Sequence, residues 1–201
     1  MGGQRPGRPL FPVHKPELHA VYDHQTDGIA YRAELTAYTS SPVLSPDPVL
    51  SAELDLAPEF LEQLHADVRT VNQAVTDRVA VRQQWIDRVV PLMTSQEAPQ
   101  IRTWQCAHGD FHPANLTQDG TILDWEGFGM APAGYDAATL YAYSLTAPKT
   151  AARIFEEFKI LDSPDGRQAL LVVATELLQA ASRGAHPHLV PDLVALARRC
   201  T

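Results

Sequence analysis

The chain has 201 residues, 45% apolar and 20% charged, with 16 basic against 24 acidic side chains for a formal net charge of −8. That length is ample for one domain with a real core, and the acidic balance argues against a nucleic-acid partner, whose affinity comes mainly from clustered Lys and Arg. No apolar run approaches the roughly 18–20 residues that cross a bilayer, the basic N-terminus lacks a signal peptide's apolar segment, and two cysteines, Cys106 and Cys200, make no disulfide framework. A cytoplasmic protein that engages neither nucleic acid nor membrane is the expectation.

Residues 1–16 are rich in Gly, Pro and Arg without periodicity and read as a flexible arm. Leu18, Ala20 and Tyr22, then Ile29, Tyr31, Ala33 and Leu35, alternate with other residues on either side of Asp27-Gly28. Asp-Gly favours a tight turn because both positions tolerate positive φ, so a β-hairpin is predicted over 17–39. Residues 40–50 hold three prolines, each restricting the residue before it, and read as an extended connector that serves as a hinge.

Helical spacing takes over from there. Phe60, Leu61, Leu64, Val68, Val71 and Val75 mark one face behind Pro58. A second helix is predicted over 77–93, with Val81, Trp85, Ile86, Val89 and Met93 inward. Ile101 to Ala107 reads as a strand, and Gln118-Asp119-Gly120 as the turn of a very short hairpin joining 116–117 to 121–123. Helices are expected at 135–146, 148–159, 165–182 and 190–199. The third of these opens on the cap Ser163-Pro164 and stops at Gly184.

The chemistry concentrates in residues 106–140. His108-Gly109-Asp110 is followed by four residues and Asn115, then nine positions later by Asp124-Trp125-Glu126. This is a layout for phosphoryl transfer: Asp110 on a loop can accept a hydroxyl proton, and Asn115 and Asp124, flanking the tight hairpin, can converge on Mg²⁺. Such chemistry needs positioning and charge neutralisation more than covalent catalysis, so a few oxygen ligands suffice.

These residues resemble the aminoglycoside phosphotransferase and choline kinase-like family, relatives of the protein kinases. The resemblance implies an α+β, protein-kinase-like fold: a mostly helical C-terminal catalytic lobe (51–201) with a short catalytic β-hairpin, preceded by a remnant N-lobe β-hairpin and hinge (17–50). It implies Asp110 as catalytic base, His108 as the brace of the catalytic loop, and Asn115 and Asp124 as ligands of the Mg²⁺ that accompanies ATP. Gly134-Tyr135-Asp136 is similar to the family's helix-opening Tyr-Asp pair, which makes Asp136 a structural tie to the loop. The implied activity is Mg²⁺-dependent transfer of the ATP γ-phosphoryl group to a small-molecule hydroxyl acceptor, with the acidic charge compatible with a cationic one.

Relatives also carry a phosphate-covering loop, a strand lysine and a helix glutamate. The chain has three lysines, Lys15, Lys149 and Lys159. Lys15 has too little sequence before it for two strands and a phosphate loop, and the others follow Asp124, so the N-terminal lobe reads as truncated. A kinase-like binding module without turnover is therefore a second expectation. A third is a metal-dependent hydrolase using His108, Asp110 and His112 as N/O ligands. Glu176, in an apolar helix, is expected to be a paired or rim carboxylate, and His186 and His188 a surface loop.

Overall fold

The computed structural model describes residues 13–200; residues 1–12 of the expected arm lie outside them. The remainder of that arm is fastened rather than loose. The His14 carbonyl accepts the Ile122 amide at 2.7 Å, and His14 Nδ1 lies 3.0 Å from the buried carboxylate of Asp67.

Strands β1 (Leu18–Thr26) and β2 (Ile29–Thr36) form the predicted hairpin, antiparallel, with Asp27 and Gly28 both at positive φ. Ala20, Tyr22, Ile29, Tyr31, Ala33 and Leu35 share one face, while Asp23 and Arg32 pair on the other. The ribbon stands in solvent, with Tyr22 64% exposed and Leu35 55%. The connector that follows is extended, as expected, but anchored. Leu44 donates to the Leu116 carbonyl, Gln118 to that of Pro42, and Leu50 to that of Tyr143, and Val49 and Leu50 are buried.

Helix α1 (Pro58–Asn72) buries Leu61, Leu64, Val68 and Val71 on one stripe. Val75, assigned to that stripe, lies beyond the helix and is 75% exposed. Helix α2 (Gln83–Thr94) begins six residues later than the predicted start at 77. The reason is local: the amides of Ala80 and Val81 both donate to the Met130 carbonyl, and Met130 donates to that of Arg78. The β-branched Val79 and Val81 suit such an extended edge, and Gly129 permits it, since a Cβ there would sit 2.6 Å from the Ala80 nitrogen.

Strand β3 (Trp104–Ala107) pairs antiparallel with β4 (Gly129–Pro132), a strand the sequence pattern does not announce. The predicted catalytic hairpin contracts to one bridge, Leu116 with Ile122, closed by Thr117 to Thr121 at 3.0 Å and Leu123 to Asn115 at 2.9 Å. Then come α3 (Tyr135–Tyr143), α4 (Pro148–Glu157), α5 (Pro164–Ala181) and α6 (Val190–Arg199), close to expectation. Ser163 Oγ caps α5 by accepting the Gly166 amide. The six consecutive residues 170–175 of α5 are all buried, because the helix runs through the centre against α2, α3 and α6. The protein is thus a mixed α and β structure, predominantly helical, with two small two-stranded sheets. No helix among the described residues is long and apolar enough to cross a membrane.

The start of α4 is held from a distance. Glu53 accepts the Lys149 amide through Oε1 and the amide and hydroxyl of Thr150 through Oε2, at 2.8–3.1 Å. Burial pushes the Glu53 carboxyl up, but these donors outweigh it and hold it below the ordinary glutamate range. A carboxyl depressed in the folded state stabilises at neutral pH, and that contribution is lost as pH falls through its folded value. Glu53→Ala is therefore expected to lower the urea midpoint at pH 7, with the difference from wild type narrowing as pH falls below the ordinary glutamate range, read from denaturation curves at neutral and acid pH.

Candidate active site

Strand β3 ends at Ala107 and delivers His108-Gly109-Asp110 into a loop held from beneath. Asp136, 2% exposed in the first turn of α3, accepts the amides of His108 at 2.8 Å and Gly109 at 3.0 Å. Burial raises its pKa, while the two amides and His108 pull the other way. Gly109 sits at φ +90°, and a Cβ there would collide with the Gly127 carbonyl. Only glycine lets the two loops pass this closely.

His108 is fully buried and uses both ring nitrogens. Nε2 lies 2.8 Å from the Leu123 carbonyl, and Nδ1 accepts the Asp110 amide at 3.3 Å. The neutral tautomer with hydrogen on Nε2 satisfies both contacts, and burial lowers its pKa accordingly. Its ring stands edge-on to Trp125 at 4.8 Å. His108 therefore ties the loop to the segment carrying Asp124.

Asp110 is about half exposed, its side chain at 47%. Its Oδ1 lies 3.3 Å from His112 Nε2, and its Oδ2 accepts from Asn115 Nδ2 at 3.1 Å. Burial pushes its pKa up, but the His112 bond, the fields of His112 and His108 and the Asn115 bond carry it below the ordinary aspartate value. Asn115 closes the single turn Pro113–Asn115 and also donates Nδ2 to the Asp110 carbonyl at 3.0 Å. Its amide oxygen is left free to accept. Asp124 is exposed at φ 56°, and no protein donor holds its carboxylate among the described residues. The Leu123 amide donates to the Asn115 carbonyl, which sets the backbone just before Asp124 against Asn115. Two hard oxygen donors with open lone pairs fit Mg²⁺, which takes few protein ligands and completes its shell with water and phosphate.

A cleft of about 520 Å³ opens beside the loop, lined by Asp110, Gly109, Arg78, Glu126, Tyr135 and Glu176. The Tyr135 hydroxyl donates to Glu176, and Arg78 donates to the Glu126 carbonyl. Burial and the Asp110 charge raise the Glu176 pKa, against the pull of Tyr135 and Arg183. Glu176 is thus paired, as expected, but at the cleft rather than remote from it. Arg78 and the pairing of Tyr135 with Glu176 escaped sequence reasoning, since a loop arginine and two positions 41 residues apart carry no signal of convergence. Lys15 was set aside on sequence; the structure places its Nζ 5.5 Å from the Trp125 ring, next to Asp124 in the chain. Burial lowers the Lys15 pKa, with Glu34 acting to raise it.

The triad of His108, Asp110 and His112 does not converge on a common point, because both nitrogens of His108 are already engaged. No group of three or more His, Cys, Asp or Glu side chains among the described residues could hold a metal ion. The His186 ring rests edge-on to Tyr143 at 5.8 Å rather than joining such a group. A larger groove of about 700 Å³ lies among α3, α4, α5 and α6, lined by none of the loop residues.

The sequence model of the phosphotransferase enzyme family matches residues 17–170, which span the ribbon, the loop and most of the helices. The chain belongs to the phosphotransferase enzyme family. Among curated proteins none matches it. Membership implies a kinase-like fold and phosphotransfer activity, and kinases of this family generally use ATP and Mg²⁺. Gly109→Ala is expected to destabilise the protein by about 1–3 kcal/mol or more. Gly184→Ala, with similar positive φ but open space around the new methyl, should cost visibly less. Thermal unfolding of the two variants separates the collision with Gly127 from backbone strain alone.

Proposed function

We propose that this phosphotransferase is a cytoplasmic small-molecule kinase that transfers the ATP γ-phosphoryl group to a hydroxyl in a Mg²⁺-dependent reaction. The observation that carries the reading is Asp110: a carboxylate held below its ordinary pKa, half open to a cleft and hydrogen-bonded by Asn115. Asp110 aligns the acceptor hydroxyl and takes its proton as the new O–P bond forms and the bond to ADP breaks. Asn115 Oδ1 and the Asp124 carboxylate would hold the Mg²⁺, which when bound supplies charge neutralisation on the phosphates. His108 holds the loop against the Asp124 segment, so that the base and the two oxygen donors keep their spacing. The helical part from 51 onward serves as the catalytic lobe, with 17–50 contributing the β1–β2 ribbon and the connector to it.

The acceptor is read as a small cationic molecule, because Asp110, Glu126 and Glu176 outnumber Arg78 around the cleft and Arg78 is engaged with the Glu126 carbonyl. A kinase-like binding module without turnover is the competing reading, favoured by the solvent-exposed ribbon, over which no further strand lies among the described residues.

Calorimetry with ATP separates the two. Binding that requires Mg²⁺ and is lost in Asp124→Ala is the expected result; absence of binding at millimolar Mg-ATP would remove the kinase reading for this chain. Once an amine-bearing acceptor is found, Glu176→Gln, which can still accept from Tyr135, should raise its KM about tenfold with kcat little changed, on the scale of one charged hydrogen bond.

A further inference from the structure

His112 lies two residues beyond Asp110 and is only 8% exposed. Its Nε2 faces Asp110 Oδ1 at 3.3 Å and Asn115 Nδ2 at 3.4 Å, while its Nδ1 is buried with no hydrogen-bond partner. The ring is held firmly. It stands edge-on to Tyr143 at 5.2 Å, its amide donates to the Asp110 carbonyl, and its own carbonyl accepts the Asn115 amide at 2.9 Å.

This is an expensive way to fill a buried space. A buried polar nitrogen left without a partner is destabilising, and a Phe or Leu side chain of similar size would incur no such penalty. What an apolar side chain could not provide is a donor to Asp110. A local penalty of this kind is expected where a residue serves a site rather than the core. Asn115 Nδ2 directs its two hydrogens at the Asp110 carbonyl and Oδ2, which leaves Nε2, with hydrogen on it, facing Asp110 Oδ1.

With that hydrogen on Nε2, each oxygen of the Asp110 carboxylate faces a nitrogen, His112 Nε2 at Oδ1 and Asn115 Nδ2 at Oδ2. Asn115 cannot orient it alone, since its Nδ2 is shared with the Asp110 carbonyl and its amide oxygen faces a second duty. We propose that His112 is a positioning residue, whose Nε2–H fixes the rotation of the Asp110 carboxylate and so directs its remaining lone pairs at the acceptor hydroxyl. The inference rests on the phosphotransferase reading of Asp110. His112 gains and loses no proton in the step; the hydroxyl proton goes to Asp110.

The test is ADP release from Mg-ATP, with water and a panel of small hydroxyl compounds as acceptors, for wild type, His112→Phe and His112→Gln. His112→Phe should lower kcat about tenfold to a hundredfold, the scale of a misaligned catalytic group, with KM for Mg-ATP within about twofold. It should melt no lower than wild type, because the unpaired nitrogen is gone. His112→Gln, which retains an N–H donor, should recover most of kcat. If Phe does not fold, His112→Leu replaces it. An unchanged kcat in the apolar variant, or equal losses in the Phe and Gln variants accompanied by weaker Mg-ATP binding, overturns the inference while leaving the kinase reading intact. A wild-type chain that releases no ADP with any acceptor overturns the kinase reading, and this inference with it.

Discussion

The buried carboxylate of Asp136 is the contact on which the site depends. It accepts the amides of His108 and Gly109, two adjacent donors that the strand β3 cannot satisfy because the chain has already turned away from β4. Buried amides without partners are costly, so the anion at the start of α3 and the loop above it hold each other in place. Everything downstream follows from that grip. Gly109 takes its positive φ, the Asp110 amide reaches His108 Nδ1, and the His108 ring is aimed at Leu123.

The second constraint is closure. Residues 108–128 form one excursion whose two ends are the paired strands β3 and β4, with Ala107 opposite Gly129. Inside it, the bridge between Leu116 and Ile122 and the Leu123-to-Asn115 hydrogen bond fold the excursion back on itself. This is how backbone segments eight positions apart, at Asn115 and Leu123, come to lie side by side. The connector and His14 add extended backbone on either side of that bridge, so segments remote in sequence stiffen the same small sheet. Beneath it, α5 supplies an apolar axis and, through Glu176, one polar residue at the cleft.

Charge in this region is arranged rather than merely abundant. Asp110 is drawn to its ionised form by His112, His108 and Asn115 despite its burial, whereas Glu176 is pushed toward its neutral form by burial and by Asp110. Carboxylates driven apart in this way have different tasks available to them. The ribbon of β1 and β2 contributes none of this. It presents an apolar face to solvent and joins the body through its ends.

The turn Asp27-Gly28, the stripe of α1, the caps of α5 and the spacing of His108, Asp110, Asn115 and Asp124 were all legible in the sequence. Each is a local matter: period, φ preference and motif spacing act within a few residues. Strand β4 was not legible, because Gly-Met-Ala-Pro has no alternation to read, and neither was the late start of α2, which is decided by Met130 competing for the backbone of 78–81. The same limit hides the partners of Tyr135, Glu176 and Lys15, which lie far along the chain. The sequence by itself determined which residues could do the chemistry and in what family of folds. Tertiary structure alone decided which nitrogen faces Asp110 and which carboxylates share its cleft, because hydrogen-bond geometry and desolvation exist only once distant segments are packed together.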